Sequence, residues 1–329
     1  MVQFAHALEP EVNEKWYLAR EMGITQAVAI GGPKTGQVAL WDYLTLSRMK
    51  KTYEDFGFDL AVLEMGFPLE KTKQGLPGAE EETEVFCQIL RNMGALGIPI
   101  MCYNWMTFFN WMRTSVTTRT RGGALTTSYD HKVMQASPGA DKVKITEDKL
   151  WETLTGFLHK VVPVAEKAGV KLAMHPDDPP LSPIAGVGRI MRTPEAFERL
   201  IGIAPSEANG ITFCQGNFAA MLGVDDIPAQ IRRFGRTGLM HFVHFRDLIG
   251  DATNLTETFH DDGKTDMFAA MKAYREVGFE GPMRPDHTPS MTGDANTFPG
   301  YEPRGRLFAI GYMKGLLEGV DAMLARKAG

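Results

Sequence analysis

The sequence predicts an α/β fold, a (β/α)8 TIM barrel running as one domain over residues 1–329, on three observations. Short apolar runs alternate with segments of helical periodicity; eight such pairs can be read; and histidine, cysteine and aspartate recur where the apolar runs end. Strict strand–helix alternation implies parallel strands joined by right-handed crossovers, and eight units of this kind close a barrel.

The elements follow in order. A helical segment at Glu9–Glu21 precedes the first strand, Gly23–Gly31, which stops at paired glycines before a helix at Leu40–Tyr53. Asp59–Gly66 and Ile98–Trp105 read as the second and third strands, separated by the helix Ala79–Leu96. The stretch 110–144, rich in Thr, Arg, Gly and Ser, breaks the rhythm and is expected to be a lid-like loop over the C-terminal face. The helix Glu147–Ala168 then leads to a fourth strand at Val170–His175, and Pro194–Ile203 to a fifth at Gly210–Gln215. Asp226–Phe234 precedes a sixth at Leu239–Arg246. Thr256–His260 is read as the seventh, and Pro282–His287, after the helix Met267–Val277, as the eighth. A helix at Gly305–Ala325 closes the pattern. A doubly wound open sheet is the rival topology, but neither GxGxxG nor a P-loop follows the first strand.

Composition narrows the function. A net charge of −5 with 23% charged residues argues against a nucleic-acid partner, which would want a basic surface. Met1–Pro10 carries Glu and His where a signal peptide needs a basic start and an apolar run, and no eighteen consecutive apolar residues occur. The expectation is therefore a cytoplasmic protein with no membrane partner. Three cysteines, Cys87, Cys102 and Cys214, suit a reducing compartment, where a special thiol is a ligand or a nucleophile.

Barrel enzymes work at the C-terminal ends of their strands, so the polar residue ending each run is the informative one. These are His175, Cys214, His244 with Arg246, and Asp286 with His287. Each alone has a bland reading, a small buried thiol or a hydrogen-bonded imidazole. Together, two imidazoles, a thiolate and a carboxylate suit a divalent Mn, Fe, Co, Ni or Zn ion better than Mg or Ca. His241 alternates with His244 along its strand and is expected to pack outward. Arg246, Arg284 and Arg113 offer planar forks for a carboxylate, although Arg113 also reads as a rim salt bridge. Asp177 and Asp178 either bind sugar hydroxyls or cap the next segment. Asn104 and His260 are further candidate substrate contacts, the latter also readable as an ordinary loop histidine. His287 and Tyr301, both past the last strand, are the acid–base candidates.

Several blocks carry a resemblance: His175-Pro-Asp-Asp-Pro-Pro180, Phe213-Cys-Gln-Gly216, His241-Phe-Val-His-Phe-Arg246, Met283-Arg-Pro-Asp-His287 and Pro299-Gly-Tyr301. Cys102-Tyr-Asn-Trp-Met106, Trp111-Met-Arg-Thr114 and Thr258-Phe-His-Asp-Asp-Gly263 extend it. In this order they resemble the mannonate dehydratase family from about Ile98 to the C-terminus. The resemblance implies a xylose-isomerase-like barrel that uses Mn2+ or another divalent ion to convert D-mannonate to 2-keto-3-deoxy-D-gluconate. It also implies the ligands His175, Cys214, His244 and Asp286 and the acid–base pair His287 and Tyr301. Two loops depart from the family: Ala29-Ile-Gly-Gly-Pro33, where it shows paired histidines, and Phe67-Pro-Leu-Glu70.

The leading functional expectation is thus metal-dependent loss of water from D-mannonate or a related aldonate, the partner being a small sugar acid. The alternatives are an isomerase or epimerase on the same barrel, distinguished by conserved product mass, and a sugar-acid-binding protein without turnover. Homo-oligomerisation is left open by the sequence.

Overall fold

The computed structural model describes residues 2–32, 42–137 and 144–328. Pro33, Leu40 and residues 138–143, which end or begin elements anticipated above, lie outside the described residues. In chain order the elements are β1 (Gln3–Leu8), α1 (Glu14–Glu21), β2 (Gln26–Ile30), α2 (Tyr43–Asp55), β3 (Asp59–Glu64), α3 (Glu70–Gln74), α4 (Ala79–Leu96) and β4 (Ile100–Tyr103). There follow β5 (Ser115–Arg119), β6 (Leu125–Asp130), α5 (His131–Gln135), α6 (Glu147–Ala168), β7 (Lys171–Met174), α7 (Pro194–Ile203) and β8 (Asn209–Cys214). The chain ends with α8 (Gln215–Ala220), α9 (Ile227–Gly235), β9 (Met240–Phe245), β10 (Leu248–Asp251), β11 (Asn254–Glu257), α10 (Met267–Glu276), β12 (Pro282–Pro285) and α11 (Pro303–Ala328).

Eight strands close a barrel in the order β1-β12-β9-β8-β7-β4-β3-β2, every pair parallel. Its narrow interior is filled largely by small or slender side chains, Ala5, Ala7, Val28, Ala61, Val62, Cys102 and Ala173. The larger cluster, including Trp16, Phe86, Phe157, Phe197 and Tyr274, fills the layer between strands and helices.

Local chemistry sets the element ends. The helix α6 starts where Thr146 accepts from the Lys149 amide, with Glu147 and Asp148 in its first turn, and stops at Gly169 in the left-handed region, φ 68°. The helix α4 stops in the same way at Gly97, φ 69°.

Two elements differ from the sequence reading. The barrel begins at β1, within the Met1–Pro10 stretch, where no strand is predicted. Its run Gln-Phe-Ala-His-Ala-Leu has no β-branched residue, so strand propensity is silent there, yet Ala5 and Ala7 fill the barrel interior. Conversely Thr256–His260 is not a barrel strand. The strand there is β11, which pairs antiparallel with β10 and β6 in a separate four-stranded sheet of order β10-β11-β6-β5. A β-rich run announces a strand but not its partner.

That small sheet also accounts for the long connection after β4. Residues 115–135 form β5, β6 and α5, and the Leu125 and Ser290 backbones exchange two hydrogen bonds, 3.0 and 2.7 Å, with the tail after β12. No helix among the described residues is long and apolar enough to cross a membrane.

Candidate metal and acid–base site

With β1 counted, the four sequence-predicted ligands fall on consecutive barrel strands. His175 follows β7, Cys214 ends β8, His244 lies in β9 and Asp286 follows β12, four neighbours in the sheet. Register sets them level: Cys214 pairs with His244, Arg284 pairs with His244, and the Asp286 amide donates to the Phe245 carbonyl at 3.1 Å. His175 Nδ1 lies 2.7 Å from the Pro176 carbonyl, which holds the ring with Nε2 towards His244 Nδ1, 3.2 Å away. Asp286 Oδ2 is 3.6 Å from His244 Nδ1 and 3.9 Å from Cys214 Sγ. Ligands of a tetrahedral ion with bonds of about 2.0–2.3 Å stand roughly 3.3–3.8 Å apart. His175, Cys214 and His244 bring one ligand atom each within 4.8 Å of one another, a trio that fits one divalent ion, and Asp286 stands beside two of them.

Electrostatics agree with that fit. Burial pushes the Cys214 thiol up, but the Arg246 guanidinium and the imidazoles of His175 and His244 outweigh it and bring it down to about 6. Burial and Arg284 lower His244, while Glu64 and Asp286 raise it by more, so the surroundings favour positive charge at this ring. Burial raises the Asp286 carboxyl, yet Arg284, His287 and His244 hold it well below its ordinary range. Four buried or half-buried carboxylates, Glu64, Asp178, Glu257 and Asp286, interlock with three guanidiniums, those of Arg113, Arg246 and Arg284. Among these seven groups one negative charge is left over, and a Cys214 thiolate adds another, so the cluster favours a cation beside it.

A second trio, Glu64, Cys102 and His244, also converges. It is a poorer ion site. Burial together with Glu64 raises the Cys102 thiol and keeps it protonated, whereas the Cys214 thiol is brought down. Glu64 instead stands 3.2 Å from His244 Nε2, on the ring edge away from His175. Carboxylates in this position orient metal-binding imidazoles.

A cavity of about 310 Å³ opens beside these groups, lined by His175, His244, Asp286, Arg284, Glu64, Asp178, Asn104, His287 and Tyr301 among others. His287 sits at φ 36°, a left-handed backbone that costs a non-glycine residue about 1–3 kcal/mol. Its Nδ1 is 3.0 Å from Glu257 Oε1 and its Nε2 is 3.8 Å from Asp286 Oδ1. The Tyr301 hydroxyl donates to Asp286 Oδ1 at 3.1 Å, and its ring meets His287 edge-on, centroids 5.4 Å apart. Burial and the Asp286 carboxylate raise the phenol and keep it protonated.

The other predicted contacts divide. Asn104, Asp178 and Arg284 line the cavity, whereas Arg113, Arg246 and His260 do not. Arg246 is fully buried, its guanidinium taken by Asp178, Asp286, Glu257 and Asn217. Arg113 is fixed by Asp178 at 2.6 Å and Glu257 at 2.5 Å. His260 Nε2 donates to the Phe245 carbonyl at 2.7 Å, bracing the end of β9, and burial pushes this ring down to about 4. Asp177 accepts from the Met191 amide and Arg189. His241 is buried outside the barrel, where adding a Cβ at Gly210 would bring it to 2.4 Å from Nε2.

Two carboxylates of the site escaped the sequence reading. Glu64 ends the apolar run Leu60–Leu63 as His175 and Cys214 end theirs, so the same rule could have found it. Glu257 carries no such signal, because it reaches His287 from the antiparallel sheet.

The family model for D-mannonate dehydratase (UxuA) matches residues 19–144 and 140–327. A mannonate dehydratase of Thermotoga maritima is 34% identical over 87% of this chain and 88% of its own, and mannonate dehydratase 2 of Halalkalibacterium halodurans is 33% identical over 90% of both. The crystal structure of mannonate dehydratase from Streptococcus suis serotype 2 superposes with a TM-score of 0.89 at 29% identity, covering 100% of this chain and 96% of that one. A D-psicose 3-epimerase from Clostridium cellulolyticum H10, at 13% identity, TM-score 0.61 and coverage of 96% and 99%, shares the fold alone. The chain belongs to the D-mannonate dehydratase family, sugar-acid hydro-lyases on a xylose-isomerase-like TIM barrel.

Proposed function

We propose that this protein removes water from D-mannonate or a closely related aldonate, giving a 2-keto-3-deoxy acid, with His175, Cys214, His244 and Asp286 holding one divalent ion. The observation that carries it is the convergence of His175, Cys214 and His244 within 4.8 Å of one another, with Asp286 3.6 Å from His244 and 3.9 Å from Cys214, beside a cavity that also presents His287 and Tyr301. Mn2+ is our choice of ion; Fe2+, Co2+, Ni2+ and Zn2+ suit the same mixed donors. When bound, the ion supplies Lewis-acid stabilisation of the negative charge that develops on the substrate carboxylate as the C2 proton leaves.

The protein's own residues then divide the work. His287, held through Nδ1 by Glu257, presents Nε2 to take the C2 proton. Tyr301, kept protonated, gives its proton to the C3 hydroxyl as that C–O bond breaks and water departs. The C2–H pair of electrons becomes the C2–C3 double bond, and the resulting enol tautomerises to the 2-keto-3-deoxy acid. Asp178 and Asn104 face the cavity as partners for substrate hydroxyls, and Arg284 steadies Glu64 and Asp286 there. Arg246, Arg113 and His260 act by holding these groups in place.

Incubating Mn2+-loaded protein with a panel of aldonic acids tests the reading. A 2-keto acid should accumulate from D-mannonate or a stereochemical neighbour, and its absence across the panel would count against it.

A further inference from the structure

The cavity beside the four donors does not end at Asn104. It continues into a second cavity of about 540 Å³, and Met65, Gly66, Tyr103, Asn104, Met106 and Asn110 belong to the walls of both. Pockets of roughly 300–1,000 Å³ accept drug-sized molecules, so the inner space alone accommodates a six-carbon acid. The larger outer space is left over.

Its walls have a different chemistry. The inner cavity sets the imidazoles, carboxylates and guanidinium of the site beside Trp111, Phe298 and Tyr301; the outer one, among the described residues, has no imidazole or guanidinium and adds Phe67, Pro68, Leu69, Phe108 and Phe109, with Glu70 and Lys73. Phe108 is the informative residue. It adopts φ 64°, a costly backbone for an aromatic residue, and the residue is 47% exposed. The conformation is held by the Glu70 carboxylate, which accepts from the Phe108 amide at 3.1 Å and from Thr107 Oγ1 at 2.8 Å. Core packing gains nothing from such a placement.

The junction between the cavities is also built. Lys73, buried, donates from Nζ to the Met106 carbonyl at 2.7 Å and stands 3.4 Å from Asn104 Oδ1. Asn104 Oδ1 also accepts from the Met106 amide, so the amide orientation is fixed with Nδ2 donating to Asn110 Oδ1 at 3.2 Å. A fixed polar gate thus joins the two chambers, and past it Phe108 is the exposed aromatic, since Phe67 packs edge-on with Phe86 and Phe109 lies beneath the Arg189 guanidinium. An exposed aromatic side chain beside a few fixed polar groups suits the apolar face and hydroxyl rim of a sugar ring.

We infer that the outer cavity binds a sugar ring attached through the distal end of the acid, so that the substrate class includes aldonates glycosylated at O6. The inference rests on the proposed function for its direction: with the carboxylate end at the four donors, C6 is the end that reaches the gate.

Binding separates it from that function. Mn2+-loaded protein carrying His287→Asn, so that no acid is consumed, is titrated calorimetrically with D-mannonate and with 6-O-glucosyl-D-mannonate. The glucosylated acid should bind about tenfold more tightly, the worth of one good ring contact. Phe108→Ala should erase that advantage and leave D-mannonate affinity unchanged, while Phe108→Tyr should keep it. Equal or weaker binding of the glucosylated acid, or equal weakening of both acids by Phe108→Ala, overturns the inference. Turnover by the unmutated protein is scored apart: if neither acid yields a 2-keto product but the glucosylated one still binds more tightly through Phe108, the outer site stands and the dehydratase reading falls.

Discussion

His287 Nδ1 lies 3.0 Å from Glu257 Oε1, a contact that joins the residue after the last barrel strand to the antiparallel sheet above the barrel. Glu257 also takes Arg113 and Arg246, so one carboxylate aligns the imidazole and anchors the ion-pair network behind it. Glu257→Gln should lower kcat by roughly 10- to 100-fold with KM for D-mannonate little changed, because orientation of the base is lost rather than substrate contact. It should also destabilise the fold by roughly 3–5 kcal/mol, the cost of leaving buried guanidiniums short of a partner. Steady-state kinetics and urea unfolding check the two effects.

The division of labour between His287 and Tyr301 can be read by isotope exchange. In D2O, Tyr301→Phe should still exchange the C2 proton of D-mannonate while dehydration falls by roughly 100-fold or more. His287→Asn should abolish both. Exchange that survives in His287→Asn and disappears in Tyr301→Phe would reverse the assignment.

Metal affinity should follow the Cys214 thiol. Because Arg246, His175 and His244 together bring it down to about 6 against burial, it is mostly thiolate at pH 7. Protons compete with the ion at this thiol below that value, and at His244, which Glu64 and Asp286 raise well above its ordinary value, at higher pH, so affinity should fall as pH drops from 8 and fall more steeply below pH 6. Cys214→Ser should bind the ion far more weakly at every pH, as equilibrium dialysis will report.

Acid sensitivity of the fold should trace to buried neutral histidines. Burial, with Lys171, pushes His241 down to about 3, and burial pushes His260 down to about 4. Both folded values lie below the unfolded value of about 6.5. Above that pH neither state is protonated and nothing is lost. As pH falls below it, the unfolded chain takes up protons that the native state refuses, and stability drops by up to about 1.4 kcal/mol per unit per histidine until the folded values are reached. His241→Asn should flatten the slope between pH 6.5 and 4 in urea titrations; an unchanged slope would exclude its role.

Much of the barrel and its ligands was legible because periodicity and strand ends are local properties. Strands β2, β3, β4, β7, β9 and β12 fall within predicted runs, β8 starts one residue before its run, and His175, Cys214, His244 and Asp286 lie at or just past the ends of four of them. What escaped is non-local. The run Gln3–Leu8 has the alanines that a narrow barrel interior needs, yet it lacks the β-branched residues by which strands are read. Thr256–His260 looked like a barrel strand because propensity cannot tell parallel barrel pairing from an antiparallel hairpin. The same limit hid Glu257 and made Arg246 look like a free clamp, when neighbouring carboxylates already hold it; Arg113 follows its alternative reading as an ion pair, buried rather than at the rim.

The most direct test is to strip the protein of metal, restore Mn2+, and follow D-mannonate in D2O by NMR before and after. The expected result is no reaction without metal and, with it, a 2-keto-3-deoxy acid carrying deuterium at C3, one water lighter than the substrate apart from that label. A product of unchanged composition with deuterium at C2, or the same turnover with and without metal, would contradict it.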